Sequence, residues 1–349
     1  MDELDTVAIT ALTAGVTTTW LITPPARLTP VTTGQNSLVY RVEDSSGARR
    51  ILRVYRNHSD ISRVHHEMAL LAALRDAQLP FAVPTPLATR AGALVHQLEL
   101  EDSVLSGALA VLWLELPGTH PDPADEAQAH AAGAALALID LALAGIDPAT
   151  LSGRAGPAYK ELRESVSAPH DIEDILLRLP LPAHDTAELL SQLQVVEAQL
   201  PRLYAYLPKQ FIHADFDASQ VLMDGAQVTG IIDFEFSRSD LRIAELAVPL
   251  AVWPRDLFGT GSEWSVLQAL GRGYTRHLPL LPEEVQALPL LIRLRSIGGL
   301  LRDIGWHRQG RVSEERVIWR ADYAVQRERW LQQNESRLLA MAERWMQER

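Results

Sequence analysis

Phe211-Ile-His-Ala-Asp215-Phe-Asp-Ala-Ser-Gln220-Val-Leu-Met-Asp-Gly225-Ala-Gln-Val-Thr-Gly-Ile-Ile-Asp233-Phe-Glu235 decides how this chain of 349 residues is read. Its apolar pieces Gln210-Phe-Ile, Val221-Leu-Met and Val228-Thr-Gly-Ile-Ile are short and β-branched, with Asp224-Gly225 as a hairpin signal between the last two. The pattern predicts strand, polar loop, strand, tight turn, strand, and a carboxylate where the last strand ends. It brings Asp215 and Asp233 to the same end of one small sheet, with His213 and Gln220 beside them. Gathering carboxylates in this way is costly unless a cation or proton compensates. A divalent metal on Asp233, with Asp215 free to accept a proton, is the simplest arrangement.

The order His-x-Asp, an amide five residues after the Asp, and Asp-Phe-Glu after a hairpin parallels the catalytic and metal loops of the protein-kinase fold. On these residues the chain resembles the aminoglycoside phosphotransferase and choline kinase-like family of small-molecule kinases. That family's loop usually reads His-Gly-Asp, four residues, Asn, and its metal motif Ile-Asp-Phe or Ile-Asp-Trp followed by an acid. Here Ala214 replaces the Gly and Gln220 stands where Asn would be. The resemblance implies ATP and Mg2+ as cofactors, Asp215 as the catalytic acid-base group and His213 as organiser of its loop. It also implies Gln220 and Asp233 as metal ligands, with Glu235 helping to position the metal loop. Two solvent-facing loops whose acids only aid solubility would explain any one of these aspartates, but not the spaced set.

Composition sets the frame. There is no cysteine, so disulfides, thiolate catalysis and cysteine metal sites are excluded. The start, Met1-Asp-Glu-Leu-Asp, lacks the basic-then-apolar pattern of a signal peptide. Ala131 to Gly145 is apolar but short for a membrane span and carries Asp140. A cytoplasmic protein is the expectation. A net charge of −12 argues against nucleic acid or an anionic membrane as partner. Residues 1–240 carry 16 basic and 31 acidic side chains, whereas 241–349 carry 16 and 13, so the basic groups concentrate toward the C-terminal third.

The chain predicts an α+β molecule with two regions. Residues 1–116 mix a helical opening with strands: Ser37–Val42 and Arg50–Tyr55 across an Asp-Ser-Ser-Gly turn, Ala93–Leu98, and Leu109–Leu116. Between them a helix carries Ile61, Val64, Met68, Leu71 and Leu74 at helical spacing, capped by Ser59-Asp60. Residues 117–349 are chiefly helical, with helices expected at about 124–145, 158–166, 185–205, 263–276 and 283–304 and from about 313. A small β-rich N-terminal lobe, a hinge near Glu115 and a larger helical C-terminal lobe form the protein-kinase-like architecture of the resembled family.

A kinase-like nucleotide site needs a phosphate-covering loop, a cation on the third strand and an acid on the following helix. Thr32-Thr-Gly34-Gln-Asn-Ser37 supplies small residues between two strands. There is no lysine before Lys160, so Arg53 is the candidate cation, with Leu52 and Val54 facing the other side of the sheet. Glu67 is its candidate partner; an ordinary hairpin glycine, an exposed strand arginine and a solvated helix acid are the plainer readings. The resemblance alone puts adenine against backbone groups near Glu115 and Leu116. Trp113 reads as core.

The acceptor is expected to be a small-molecule hydroxyl: an amino alcohol, hydroxy amino acid or sugar. Arg242, in Asp240-Leu-Arg-Ile-Ala-Glu-Leu-Ala, resembles the segment after the metal loop in type II homoserine kinases of the same superfamily. Arg293, Arg295, Arg302, Trp306 and His307 fall within one helix and its end, and Arg295 and Arg302 share a face. They read either as arginines paired with surface acids or as a site for an anionic substrate; the balance of charge disfavours a polycationic one. Asp217 and Asp240 read as turn or surface residues. The alternative to an enzyme is a catalytically weakened nucleotide-binding module, which Gln220 keeps open.

Overall fold

The computed structural model describes residues 6–33, 37–55, 61–100, 105–147, 162 and 172–347. The chain forms two compact units, and the first holds an antiparallel sheet. Helix α1 (Thr6–Thr19) leads to β1 (Arg27–Thr33), β2 (Ser37–Glu43) and β3 (Arg49–Tyr55). Helix α2 (Ile61–Asp76), the short β4 (Pro86–Leu87) and β5 (His96–Gln97), and β6 (Leu109–Leu114) follow. The strand order is β1-β2-β3-β6-β4, with β5 also on β6.

The period of two along β3 sorts the sheet's faces. Leu52 and Val54, fully buried, join Leu12 and Val16 of α1, Trp20 just after it, and Leu38, Tyr40 and Val42 of β2 in one apolar cluster. Arg53, between them, points the other way. On α2 the expected apolar stripe is buried at Val64, Met68, Leu71 and Leu74, but Ile61 is exposed, while His66 and Glu67 are buried. The 93–98 segment pairs with β6 only at His96 and Gln97. Trp113 is buried, as core.

The second unit holds helices α3 (Glu126–Ala144), α4 (Ile172–Arg178), α5 (Ala183–Tyr206), α6 (Arg242–Val252), α7 (Glu263–Thr275), α8 (Pro282–Arg308) and α9 (Glu314–Gln347). The helix expected at 158–166 lies outside the described residues apart from Leu162, which is helical and buried. Helix α3 is long and apolar enough to cross a membrane by length and composition, more so than its sequence suggested. Half of that apolar window is buried within the protein, and glycines show how closely α3 packs. A Cβ on Gly133 would stand 2.2 Å from the carbonyl oxygen of Leu270, and one on Gly273 2.0 Å from that of His130. Backbone therefore meets backbone where α3 crosses α7, an approach that only glycine allows.

The strands of the decisive stretch depart from expectation. Strands β8 (Val221–Asp224) and β9 (Gln227–Ile231) form the predicted hairpin. Strand β7 (Lys209–Ile212) does not join them; it pairs with β10 (Arg238–Leu241), a four-residue Arg-Ser-Asp-Leu strand. The three pieces are two separate ladders, not one sheet. The polar composition of β10 hides it from an apolar-run reading.

Candidate active site

The loop after β7 turns back at Ala214, whose φ is +68°, in the left-handed region where a Cβ is strained. The family's usual glycine at this position has a physical reason: it takes this conformation freely. His213, fully buried, lies between Phe216 and Phe234, with ring centroids 5.9 and 4.6 Å away. The Asp215 amide donates to His213 Nδ1 at 3.3 Å, and Nε2, 3.0 Å from the Ile232 carbonyl, donates in turn. This assigns the tautomer with hydrogen on Nε2. Burial lowers the imidazole's pKa, which keeps the ring neutral and suits that assignment.

The Ile232 amide donates to the Gln220 carbonyl at 2.9 Å, so the segment before Asp233 is held on both sides by the catalytic loop. Asp233 itself has φ +67° and begins the 3-10 turn Phe234–Phe236. Two non-glycine residues in the left-handed region thus stand at the two loops, a concentration of strain typical of functional sites. What β-sheet pairing was expected to align, side-chain and loop hydrogen bonds align instead. The Asp215 carboxylate accepts from Arg295 Nη2, a pairing that spacing along the chain could not foretell. Asp217 accepts from the Ser219 amide at 2.7 Å, the turn role expected of it.

Beneath this loop lies a set of buried acids. The Ala214 amide donates to Glu245 of α6 at 3.0 Å. Burial raises the pKa of Glu245 to about 8, although the backbone amides of residues 213 and 214 pull it back. Asp140 of α3, also raised by burial and by the charge of Glu245, accepts from the Tyr274 hydroxyl. Asp240 is buried, not on the surface; it accepts from Tyr204 and from the Leu241 amide at 2.7 Å. Sequence reasoning missed Glu245 as a support, yet a lone acid among the apolar residues of α6 was the available signal.

In the first unit, Arg53 Nε donates to Ser37 Oγ at 3.0 Å and Nη1 reaches Glu67 at 3.5 Å. The Tyr55 hydroxyl donates to the other Glu67 oxygen at 2.9 Å, and the guanidinium lies 5.0 Å from the Tyr55 ring centre. Ser37, Arg53 and Glu67 therefore form one buried network. Gly34 lies outside the described residues. The Glu115 side chain accepts from Arg41 at 2.7 Å, and half-buried Leu116 follows it just beyond β6.

The arginine cluster of α8 divides. Arg293 pairs with Glu328 at 2.8 Å and Glu335 at 3.0 Å, the plain reading of a helix arginine. Exposed His307 meets the Val312 carbonyl at 3.0 Å. Arg242 is clamped by both oxygens of buried Glu284. Arg302 has Phe236 on one side and Trp306 on another, with its guanidinium carbon 5.1 and 5.0 Å from the two ring centres. Burial and the nearby charge of Arg295 lower its pKa to about 10.

Residues 27–288 match the model of the phosphotransferase enzyme family, APH. The homoserine kinase of Bradyrhizobium sp. (strain BTAi1) is 29% identical over 266 residues, covering 73% of this chain and 72% of that protein. That of Gluconacetobacter diazotrophicus is 30% identical over 248 residues, covering 71% of each. Among solved structures, a microcompartment-associated aminopropanol kinase superposes with a TM-score of 0.71 at 19% identity, covering 97% of this chain and 99% of its own. An amicoumacin kinase gives 0.67 at 14% identity, covering 91% and 92%. These likenesses show a protein-kinase-like fold. The chain belongs to the phosphotransferase enzyme family and is an ATP-dependent kinase of a small-molecule hydroxyl.

Proposed function

We propose that this kinase uses magnesium and ATP to phosphorylate an amino alcohol, hydroxy amino acid or sugar, and that L-homoserine is the first acceptor to try. The observation that carries the reading is the tie between the two loops. His213 to the Ile232 carbonyl at 3.0 Å, and the Ile232 amide to Gln220 at 2.9 Å, gather Asp215, Gln220 and Asp233. Phosphoryl transfer asks for alignment and charge neutralisation, not a covalent nucleophile. Asp215, steered by Arg295, receives the acceptor's hydroxyl proton as the acceptor oxygen bonds to the γ-phosphorus of ATP, and the bond from that phosphorus to the β,γ-bridging oxygen breaks, releasing ADP. His213 holds the loop that carries it.

Gln220 and Asp233 offer hard oxygen donors, and magnesium bound there would supply charge neutralisation to the phosphates. Among the described residues no three His, Asp or Glu side chains cluster as a complete cage. That suits an ion held by one or two protein oxygens with phosphate and water. Arg53, fixed by Glu67, would meet phosphate oxygens under the loop of Gly34 and Ser37, with adenine against the backbone at Glu115 and Leu116. On this reading residues 1–116 form the nucleotide lobe and 117–349 the catalytic and acceptor lobe. A reaction that consumes ATP belongs in the cytoplasm.

The test is ADP release over a panel of small alcohols with ATP and a magnesium titration. Turnover that needs both acceptor and magnesium is expected, and Asp233→Ala should remove the magnesium dependence of ATP binding by calorimetry. ADP release indifferent to every acceptor, or ATP binding in Asp233→Ala with unchanged metal dependence, would remove the assignment.

A further inference from the structure

Arg302 is the charged group that the chemistry described so far leaves unused. It stands on α8 seven residues, about two turns, after Arg295, which holds Asp215. Phe236, one of its two ring neighbours, ends the turn that begins at Asp233. It thus stands beside the metal loop, and the charges of Arg295, Asp215, Asp303 and Arg320 all act on it.

Among the described residues no carboxylate pairs with Arg302, and its buried Nε has no acceptor. Its neighbours differ: Arg293 takes Glu328 and Glu335, Arg316 and Arg320 share Asp303, and Arg242 takes Glu284. Arg327 also has orphaned nitrogens, but it is sealed at 3% exposure against Phe258 and Trp330. Arg302 keeps part of its surface open. A guanidinium largely withdrawn from water beside a second one is costly, and ring faces offset only part of that cost. An entering anion removes it. The guanidinium's planar fork fits a carboxylate through two parallel N–H···O bonds.

We propose that Arg302 binds the carboxylate of the acceptor, which makes the substrate a hydroxy acid or hydroxy amino acid and not a carboxylate-free alcohol. The inference rests on the hydroxyl-kinase reading above. Phe236 and Trp306 keep the guanidinium plane in place. One end of the acceptor is then fixed at Arg302 while its hydroxyl reaches Asp215. The same anion chemistry could come from a phosphate of ATP, so the experiment has to separate the two.

Matched pairs do this: L-homoserine against 2-aminobutane-1,4-diol, L-serine against serinol, and glycerate against glycerol. The wild-type protein should prefer the carboxylate member of its best pair by at least about 100-fold in kcat/KM. Arg302→Gln should raise KM for that member by about 10–100-fold, the worth of a charged bidentate contact, and leave KM for ATP unchanged. Arg302→Lys, which keeps the charge but not the fork, should fall between.

Equal use of both members would overturn the inference while leaving the kinase reading intact. So would a variant whose KM rises for ATP and not for the acceptor. If no acceptor yields ADP, the kinase reading itself fails, and calorimetry of the three acids decides the matter. Binding to wild type that Arg302→Gln loses supports the carboxylate site; no binding, or equal binding, overturns it.

Discussion

Arg53 and Arg302 are both arginines drawn out of water beside aromatic rings, one in each unit, and their surroundings differ in one respect. Arg53 has an acid, Glu67, a hydroxyl, Ser37, and the Tyr55 ring. Among the described residues Arg302 has two rings and no acid within ion-pair distance, with Asp215 and Asp303 acting on it from farther away. A charge neutralised in advance holds its direction at little cost and can bridge phosphate and carboxylate together. A charge left without a counterion discriminates more, because its cost is lifted only by a ligand of the right sign. The contrast suits a nucleotide that every turnover shares and an acceptor that has to be chosen.

Several changes would break or sharpen that contrast. The largest effect is expected from Asp215→Asn, which leaves Arg295 without its acid and so puts two unneutralised guanidinium groups on α8. Turnover should fall by about 10²–10⁴, the usual loss for a general base, with ATP affinity by calorimetry nearly unchanged. Wild-type turnover in the variant would take Asp215 out of the chemistry. Glu67→Gln makes Arg53 resemble Arg302 by removing its acid. ATP binding should weaken about tenfold, roughly 1.4 kcal/mol, with no change in acceptor preference; an altered preference would contradict the division of labour.

A third change concerns pH. Glu245 titrates near 8 in the fold against an ordinary 4.5. Between those values the folded protein keeps a proton that the unfolded chain releases, so this group's contribution is complete below about 4.5 and is lost as pH rises toward 8. Glu245→Gln should flatten that decline, and its Tm should exceed the wild-type value at pH 8 but not at pH 5. Parallel Tm profiles for the two proteins would show that Glu245 does not hold a proton there. The smallest effect is expected from Ala214→Gly. It relieves left-handed strain of about 1–2 kcal/mol and returns about 0.5–1 kcal/mol in chain entropy. A net gain of under about 1 kcal/mol by urea denaturation is the expected balance.

The fold was legible because its signals were local. Helical spacing along 263–276 and 283–304, and alternation around Arg53, each needed only a few neighbouring residues to read. The loops were legible as a spaced motif, but the means of joining them was not. Strand β10 has four residues and polar composition, so nothing announced that β7 would pair with it in place of β8. The contacts Arg295–Asp215 and Glu245–Ala214 span 80 and 31 residues. Nothing in residue spacing records which of many arginines or acids will meet a given loop. Asp240 was misjudged because a carboxylate at a helix start looks solvated until a tyrosine hydroxyl is found over it.

His213 carries one consequence of its own. Its ring gives one proton to the Ile232 carbonyl and takes one from the Asp215 amide, and burial keeps it neutral. The amide hydrogen of Asp215 is thereby shut away from solvent by a ring whose other edge is fastened to the segment before Asp233. Its deuterium exchange then acts as a gauge of loop cohesion that needs no substrate. Replacing His213 with Asn or Gln should speed exchange at that amide while leaving exchange in α3 and α7 as slow as before.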